Sequence, residues 1–461
     1  MSTTITQGQK PASSLDSGAL LVFATVLFGL SVRASSPKAG LAVAFATLLC
    51  GVALRMVSRG KRATQNIRPR THEARLFLAI LVFAGFGMAG WAPWSREDES
   101  LLLERLPFAI WGALACWLYF KRHDGARRAH FAAIVGLTLL LTMVVGVLHL
   151  NNTRDWGVDV FWLHRGAAEA IADGENPYSD AVQVANGAPT SSPGDMIVGY
   201  PYPPVTALAY SVGEWTTGDA RYTSLAAWVG FLGVVGYVGF RRRSRDHLYV
   251  MLLLASIPGW SLVLRAGWTE PFSLLLLVVA FVTWRLPSQS GAFLGLGLAS
   301  KQYFAATLPV LLLHRDRGWK HRLGVAAVLV AVTIVPVVLL DPAAFWNAAV
   351  EFHLNTPVRR DSVNVTGVFA AFGGSWLPPR WLGPIVGIIV GFAAGRVSRD
   401  ARTFFISMGL TLATVFLFAS QALANYWFLI AGLVALALLT DRSGPSDLGQ
   451  ERAVNRSSSI P

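Results

Sequence analysis

Two aspartates, Asp155 and Asp159, stand near the head of a polar stretch, Asn151 to Pro204, in a chain otherwise built from long apolar runs. Further along come Glu270 before a proline, Lys301 and Gln302 inside an apolar hairpin, His353, the adjacent arginines Arg359 and Arg360, and the pair Asn425 and Tyr426. These types make one kind of chemistry available. A carboxylate can take the proton from an attacking hydroxyl, and cations can offset the charge of a departing anion. A lysine inside an apolar hairpin is costly and marks function by default, with snorkelling to the interface as its plain alternative. An ammonium there suits a lipid-linked phosphate, which needs a cation where it leaves water. Two arginines on a base-poor side suggest an anionic ligand or, more simply, a solvated pair. His353 reads as a catalytic or an interfacial histidine, and Glu270 as a site residue or a partner of Arg265. Asn425 and Tyr426 could bond a sugar or belong to an aromatic belt.

The elements that must position these residues follow from pattern. Phe161 to Asp173 reads as a short amphipathic helix, with Leu163, Ala167, Ala170 and Ile171 on one face and Arg165 and Glu169 paired on another. Gly174 and Pro177 stop it. Asp159 then sits where a helix N-cap belongs, a role compatible with catalysis. The run Val205–Trp215 is too short to cross a membrane unaided and is expected as a juxtamembrane or re-entrant helix.

The order Asp159-Val-Phe, then Gly174-Glu-Asn-Pro-Tyr178, then Tyr200-Pro-Tyr-Pro-Pro204 resembles the first extracytoplasmic loop of the GT-C glycosyltransferases. It is most similar to the bacterial polyprenol-phosphate-mannose-dependent mannosyltransferases, over roughly residues 131 to 439. The resemblance implies transfer of a hexose, mannose by likeness, from a polyprenyl-phosphate donor to a lipid or glycan acceptor. It favours Asp159 over Asp155 as the general base, because Asp159 matches the Asp-aliphatic-aromatic pattern. Lys301 with Arg359 or Arg360 would hold the lipid phosphate, while Arg165, Tyr178, Tyr200, Tyr202, Glu270, Gln302, Asn425 and Tyr426 are substrate-binding candidates and His353 a catalytic one. Neither cofactor nor metal is implied.

Composition bounds the rest. The chain has 461 residues, 53% hydrophobic and 14% charged, with a mean hydropathy of +0.48, the composition of a polytopic membrane protein. Cys50 and Cys116 both fall in apolar runs, so no disulfide framework is expected. The net charge of +13 orients the protein by the positive-inside rule rather than binding nucleic acid. Apolar spans are expected near 17–33, 38–57, 76–92, 107–120, 131–150, 221–240, 247–264, 271–285, 322–340, 384–397, 402–420 and 427–440, with a hairpin at 291–314. The expected fold is thus all-α, with about 12–14 transmembrane helices. Cytoplasmic tails fall at 1–16 and 441–461, an N-terminal four-helix module at 17–128, and a catalytic domain at 129–440 whose loop, 151–220, lies outside the plasma membrane. Two other classes fit less well. A transporter should show internal repeats and midplane charges, and a non-catalytic lipid-binding or assembly protein would use the first four spans as its partner surface.

Overall fold

The computed structural model describes residues 101–120, 128–153, 159–179, 182–183, 197–242, 244–257, 259–356, 358–359, 362–371 and 377–439, together with 76, 77, 79 and 80. The spans expected at 17–33 and 38–57, most of 76–92, both tails, Asp155 and Arg360 lie outside the described residues. The described chain is helical apart from a short antiparallel pair, β1 (Val182–Gln183) and β2 (Ile197–Val198), which aligns Val182 with Val198.

The helices are α1 (Leu101–Phe120), α2 (Arg128–Asn151), α3 (Asp159–Ala172), α4 (Pro204–Thr217), α5 (Arg221–Arg242), α6 (Arg245–Ala255), α7 (Trp260–Arg265), α8 (Glu270–Val282) and α9 (Pro287–Leu298). After a 3₁₀ turn at Gln302–Thr307 come α10 (Leu308–Leu313), α11 (Trp319–Leu340) and α12 (Pro342–Trp346). A π turn at Asn347–Glu351 leads to α13 (Phe352–Asn355), then α14 (Val365–Ala371), α15 (Leu382–Val397), α16 (Ala401–Leu417) and α17 (Ala424–Leu438).

Among the described residues α2, α5 and α11 are long and apolar enough to cross a membrane; at 1.5 Å per residue the 24 residues of α2 reach about 36 Å. Their outer faces are apolar. Leu140 and Leu148 on α2, and Val328, Val332 and Leu339 on α11, stand exposed where lipid would cover them. Inside α2, the inward-turned Thr142 returns its hydroxyl to the carbonyl of Thr138 at 2.8 Å, which pairs that group within the helix. Buried glycines recur every fourth residue on α15, at Gly383, Gly387, Gly391 and Gly395, and bring it against α16 and α10. A Cβ at Gly395 would lie 3.0 Å from the backbone of the Pro309–Val310 step. Small residues in this spacing let membrane helices approach closely.

Two expectations need correcting. The span at 247–264 is two helices, α6 and α7, because Gly259 takes a φ of 125°, a conformation closed to residues with a side chain. Asp159 is the first residue of α3 rather than its N-cap, and its Oδ1 accepts the neighbouring N–H of Val160 at 2.8 Å. The hairpin at 291–314 is present as α9, the 3₁₀ turn and α10. The Val205–Trp215 run forms α4, with Leu208, Val212 and Trp215 exposed along one side. One core joins α1 to the later helices, with Trp111 edge-on to Trp260 at 6.4 Å.

At the end of the helices away from the polar loop lies a buried knot. Arg322 stacks on Trp284, 3.9 Å from its ring centroid, and donates to Asp316 at 2.9 Å, Ser290 at 2.7 Å and the Trp284 carbonyl at 2.6 Å. The connections around α9 and α11 are fixed there by bonds to one guanidinium.

Candidate active site

The polar loop is stitched at its root. Arg221, at the start of α5, is buried and forks onto Asp219 with contacts of 2.6–3.1 Å. The same guanidinium reaches back to the carbonyls of Thr153 at 2.9 Å and Leu150 at 3.4 Å. It also faces the ring of Phe161 at 4.9 Å, which sets the first turn of α3. Paired charges and carbonyls satisfy an arginine that is 1% exposed.

From α3 the inner face continues through His164, which is fully buried. Its Nε2 bonds the carbonyl of Gly267 at 3.1 Å, so Nδ1 accepts from the hydroxyl of Tyr200 at 2.9 Å. The ring stacks on Tyr210 at 3.9 Å. Burial pushes its pKa down to about 3, and the charge of Lys301 adds to that fall against the Gly267 bond, so the imidazole is neutral. Gly267 takes a positive φ of 66°, and a Cβ there would meet Arg221 at 3.5 Å and His164 at 3.8 Å.

The Tyr200-Pro-Tyr-Pro-Pro strip is held from both sides. Tyr200 donates its N–H to Pro177 at 2.8 Å, and Tyr178 donates its hydroxyl to the carbonyl of Tyr202 at 2.8 Å. The carbonyl of Pro201 accepts from His353 Nε2 at 2.9 Å and from Gln302 Nε2 at 3.5 Å. Three segments distant in sequence therefore meet on one proline carbonyl: the polar loop, the hairpin tip and α13. Burial lowers the pKa of His353 to about 4, leaving it neutral as well.

Beyond this strip is a second buried cluster. Lys301 Nζ lies 4.0 Å from the ring centroid of Tyr202 and 3.5 Å from Oε1 of Glu270. The same oxygen accepts from Asn425 Nδ2 at 2.9 Å and from Tyr303 at 3.4 Å. Lys301 therefore does not snorkel: it pairs with the Glu270 carboxylate. The ring of Tyr426 lies 5.8 Å from that of Tyr303. Arg359 is anchored by its backbone N–H to Ser420 at 3.1 Å, and its charge acts on both Asp159 and Tyr426. Burial holds the Asp159 carboxyl above the usual carboxylate range, against the opposing pull of the Val160 N–H and of Arg359. A carboxylate so raised is a better proton acceptor than a free one.

The sequence candidates thus separate. Asp159, Tyr202, Glu270, Lys301, Arg359, Asn425 and Tyr426 form one set, with Gln302 and His353 beside it through Pro201. Tyr178 and Tyr200 support that set from behind. Arg165 is not brought to it: the side chain is exposed and pairs with Glu169 at 3.0 Å and Glu214 at 3.9 Å. Sequence reasoning missed His164 and Arg221. His164 lies next to Leu163 on the buried face of α3, and Arg221 lies two residues after Asp219 at the head of an apolar span, so each left a weak signal. Among the described residues no group of three or more His, Cys, Asp or Glu is placed to hold a metal ion.

Residues 200–420 match the model of glycosyltransferase family 87. The match starts at Tyr200 and takes in Tyr202, Glu270, Lys301, Gln302, His353, Arg359 and Arg360; Asp159, Asn425 and Tyr426 fall outside it. The glycosyltransferase likeness read from the loop is supported by this match, which shares Tyr200–Pro204 with that loop. No curated protein matches the chain. Among solved structures, a crystal structure of ArnT from Cupriavidus metallidurans bound to undecaprenyl phosphate aligns at 19% identity with a TM-score of 0.45. That alignment covers 70% of this chain and 63% of the ArnT chain.

Proposed function

We propose that the protein transfers a hexose, mannose by the likeness of its loop, from a polyprenyl-phosphate carrier to a lipid or glycan acceptor at the outer face of the plasma membrane. The observation that carries this reading is Asp159 itself: a carboxyl at the head of α3, raised by burial, under the charge of Arg359 and in the same set as Tyr202 and Tyr426. Asp159 takes the proton of an acceptor hydroxyl as its oxygen attacks the anomeric carbon. The bond from that carbon to the phosphate oxygen breaks, and the electron pair leaves with the phosphate. A single displacement inverts the anomeric centre.

The departing phosphate develops charge that Arg359, its neighbour Arg360 and the Lys301 ammonium offset. An ammonium has three donors, so a bond to Glu270 leaves Lys301 able to give another to the carrier. The neutral His353 holds Pro201 and through it the Tyr202 strip. Purified protein incubated with labelled polyprenyl-phosphate mannose and membrane glycolipid tests the reading. Transfer that is lost in Asp159→Asn supports it, and the absence of transfer from any polyprenyl-phosphate hexose sinks it.

A further inference from the structure

We infer that Glu270 and Asn425 together read adjacent hydroxyl groups of the donor sugar, an assignment that rests on the glycosyl-transfer reading above. The two side chains are 0% and 4% exposed and are joined by one hydrogen bond, Asn425 Nδ2 to Glu270 Oε1 at 2.9 Å. A carboxylate only accepts, so the amide must turn its NH₂ toward Glu270, and the carbonyl end of Asn425 faces the other way. Oε1 of Glu270 is crowded with donors: Asn425, Tyr303 at 3.4 Å and Lys301 at 3.5 Å. Its other oxygen, Oε2, has none, and neither has Oδ1 of Asn425.

Two buried acceptors without a donor are each costly, which makes them a demand on whatever fills the site. The ligand that meets the demand carries two O–H donors on neighbouring atoms. A vicinal diol of a pyranose does so. A phosphate, whose oxygens only accept, is repelled by Glu270, and an isoprenoid chain leaves both atoms orphaned. The neighbouring Lys301 is the cation assigned to the carrier phosphate, so the sugar nearest this pair is the one bonded to that phosphate. Tyr202 and Tyr303, on either side of the lysine, supply the apolar walls that sugar sites combine with a few fixed polar groups.

The test is binding to the full chain in detergent without acceptor, using polyprenyl-phosphate mannose and the series of its monodeoxy forms. For the wild type, deoxy forms at two adjacent ring positions should bind on the order of 10- to 100-fold more weakly than the complete sugar, since each leaves a buried acceptor unpaired. In Asn425→Ala one of those penalties should vanish, and in Glu270→Ala the other. Each variant is compared with its own affinity for the complete sugar, so a general loss of folding does not mimic the effect. A flat deoxy series in the wild type, or penalties equal in wild type and variants, overturns the subsite while leaving glycosyl transfer intact. Failure of the wild type to bind any polyprenyl-phosphate hexose overturns the parent reading, and this one with it.

Discussion

The ammonium of Lys301 lies over the face of Tyr202, 4.0 Å from its ring centroid. The aromatic face, rather than the phenol hydroxyl, is what the cation meets. Tyr202→Phe should therefore leave affinity for the polyprenyl-phosphate donor within a few-fold of wild type. Tyr202→Leu removes a cation–π contact worth about 1–2 kcal/mol when desolvated, and donor affinity should drop on the order of 10-fold. Equal losses in the two variants would mean that the hydroxyl matters and the ring face does not.

Asp159→Asn keeps the size and an oxygen for the Val160 N–H but lacks basicity. Turnover should fall by about 10²–10⁴-fold with donor binding retained, while Asp155→Asn stays mild. The reverse pattern would move the base to Asp155. Stability runs the other way. A carboxyl whose folded pKa is raised binds protons more readily folded than unfolded, so its contribution is fully present below the unfolded pKa and is lost as pH rises through the folded one. At neutral pH the asparagine variant should melt no lower than wild type, and thermal melts across pH 4–8 check this.

The acid limb of the rate profile follows from the same carboxyl. Only the deprotonated form accepts a proton, so kcat/KM should rise with pH through a value above the free aspartate range. The charge of Arg359 lowers the Asp159 pKa; Arg359→Gln should shift that limb to higher pH as well as weaken donor use. A limb that stays in place would separate Arg359 from the base.

His164 should be silent to pH and loud in stability. It is neutral, with both ring nitrogens engaged by Tyr200 and Gly267. His164→Leu strands a buried carbonyl and a buried hydroxyl, at about 1–3 kcal/mol each. Tyr200→Phe made alongside should recover part of that loss, which a double-mutant cycle in thermal melts would measure.

Arg322→Met breaks the buried knot by removing the cation paired with Asp316 and the donor to Ser290 and the Trp284 carbonyl. Removing one partner of a buried pair costs about 3–5 kcal/mol, so the variant should unfold well below wild type in detergent while its residual folded fraction keeps donor affinity. Unchanged melting would show that the contacts Asp316 already makes with Trp284 and His314 suffice to hold it.

Much of this was legible in the sequence, because membrane helices announce themselves by apolar runs and α3 by its period and its Gly174 stop. Asp159, Tyr202, Lys301 and Asn425 stood out as polar or aromatic groups at the edges of those runs. Their pairings did not. Nothing in spacing says that Glu270 meets Lys301 and Asn425, since the partners are brought together by helices whose order in the sequence does not give their order in space. His164 was hidden for a related reason. A histidine on an apolar face reads as filler until its two bonds, to residues 36 and 103 positions away, are seen.

The stitch at Arg221 has a consequence for how this protein can vary. Because one guanidinium closes the excursion at Thr153 and Leu150, the polar lobe hangs from a fixed neck, and β1 pairs with β2 to close it a second time. Doubling the length of the excursion would cost only about 0.6 kcal/mol in closure entropy, while the neck stays where the bonds from Arg221 to Thr153 and Leu150 set it.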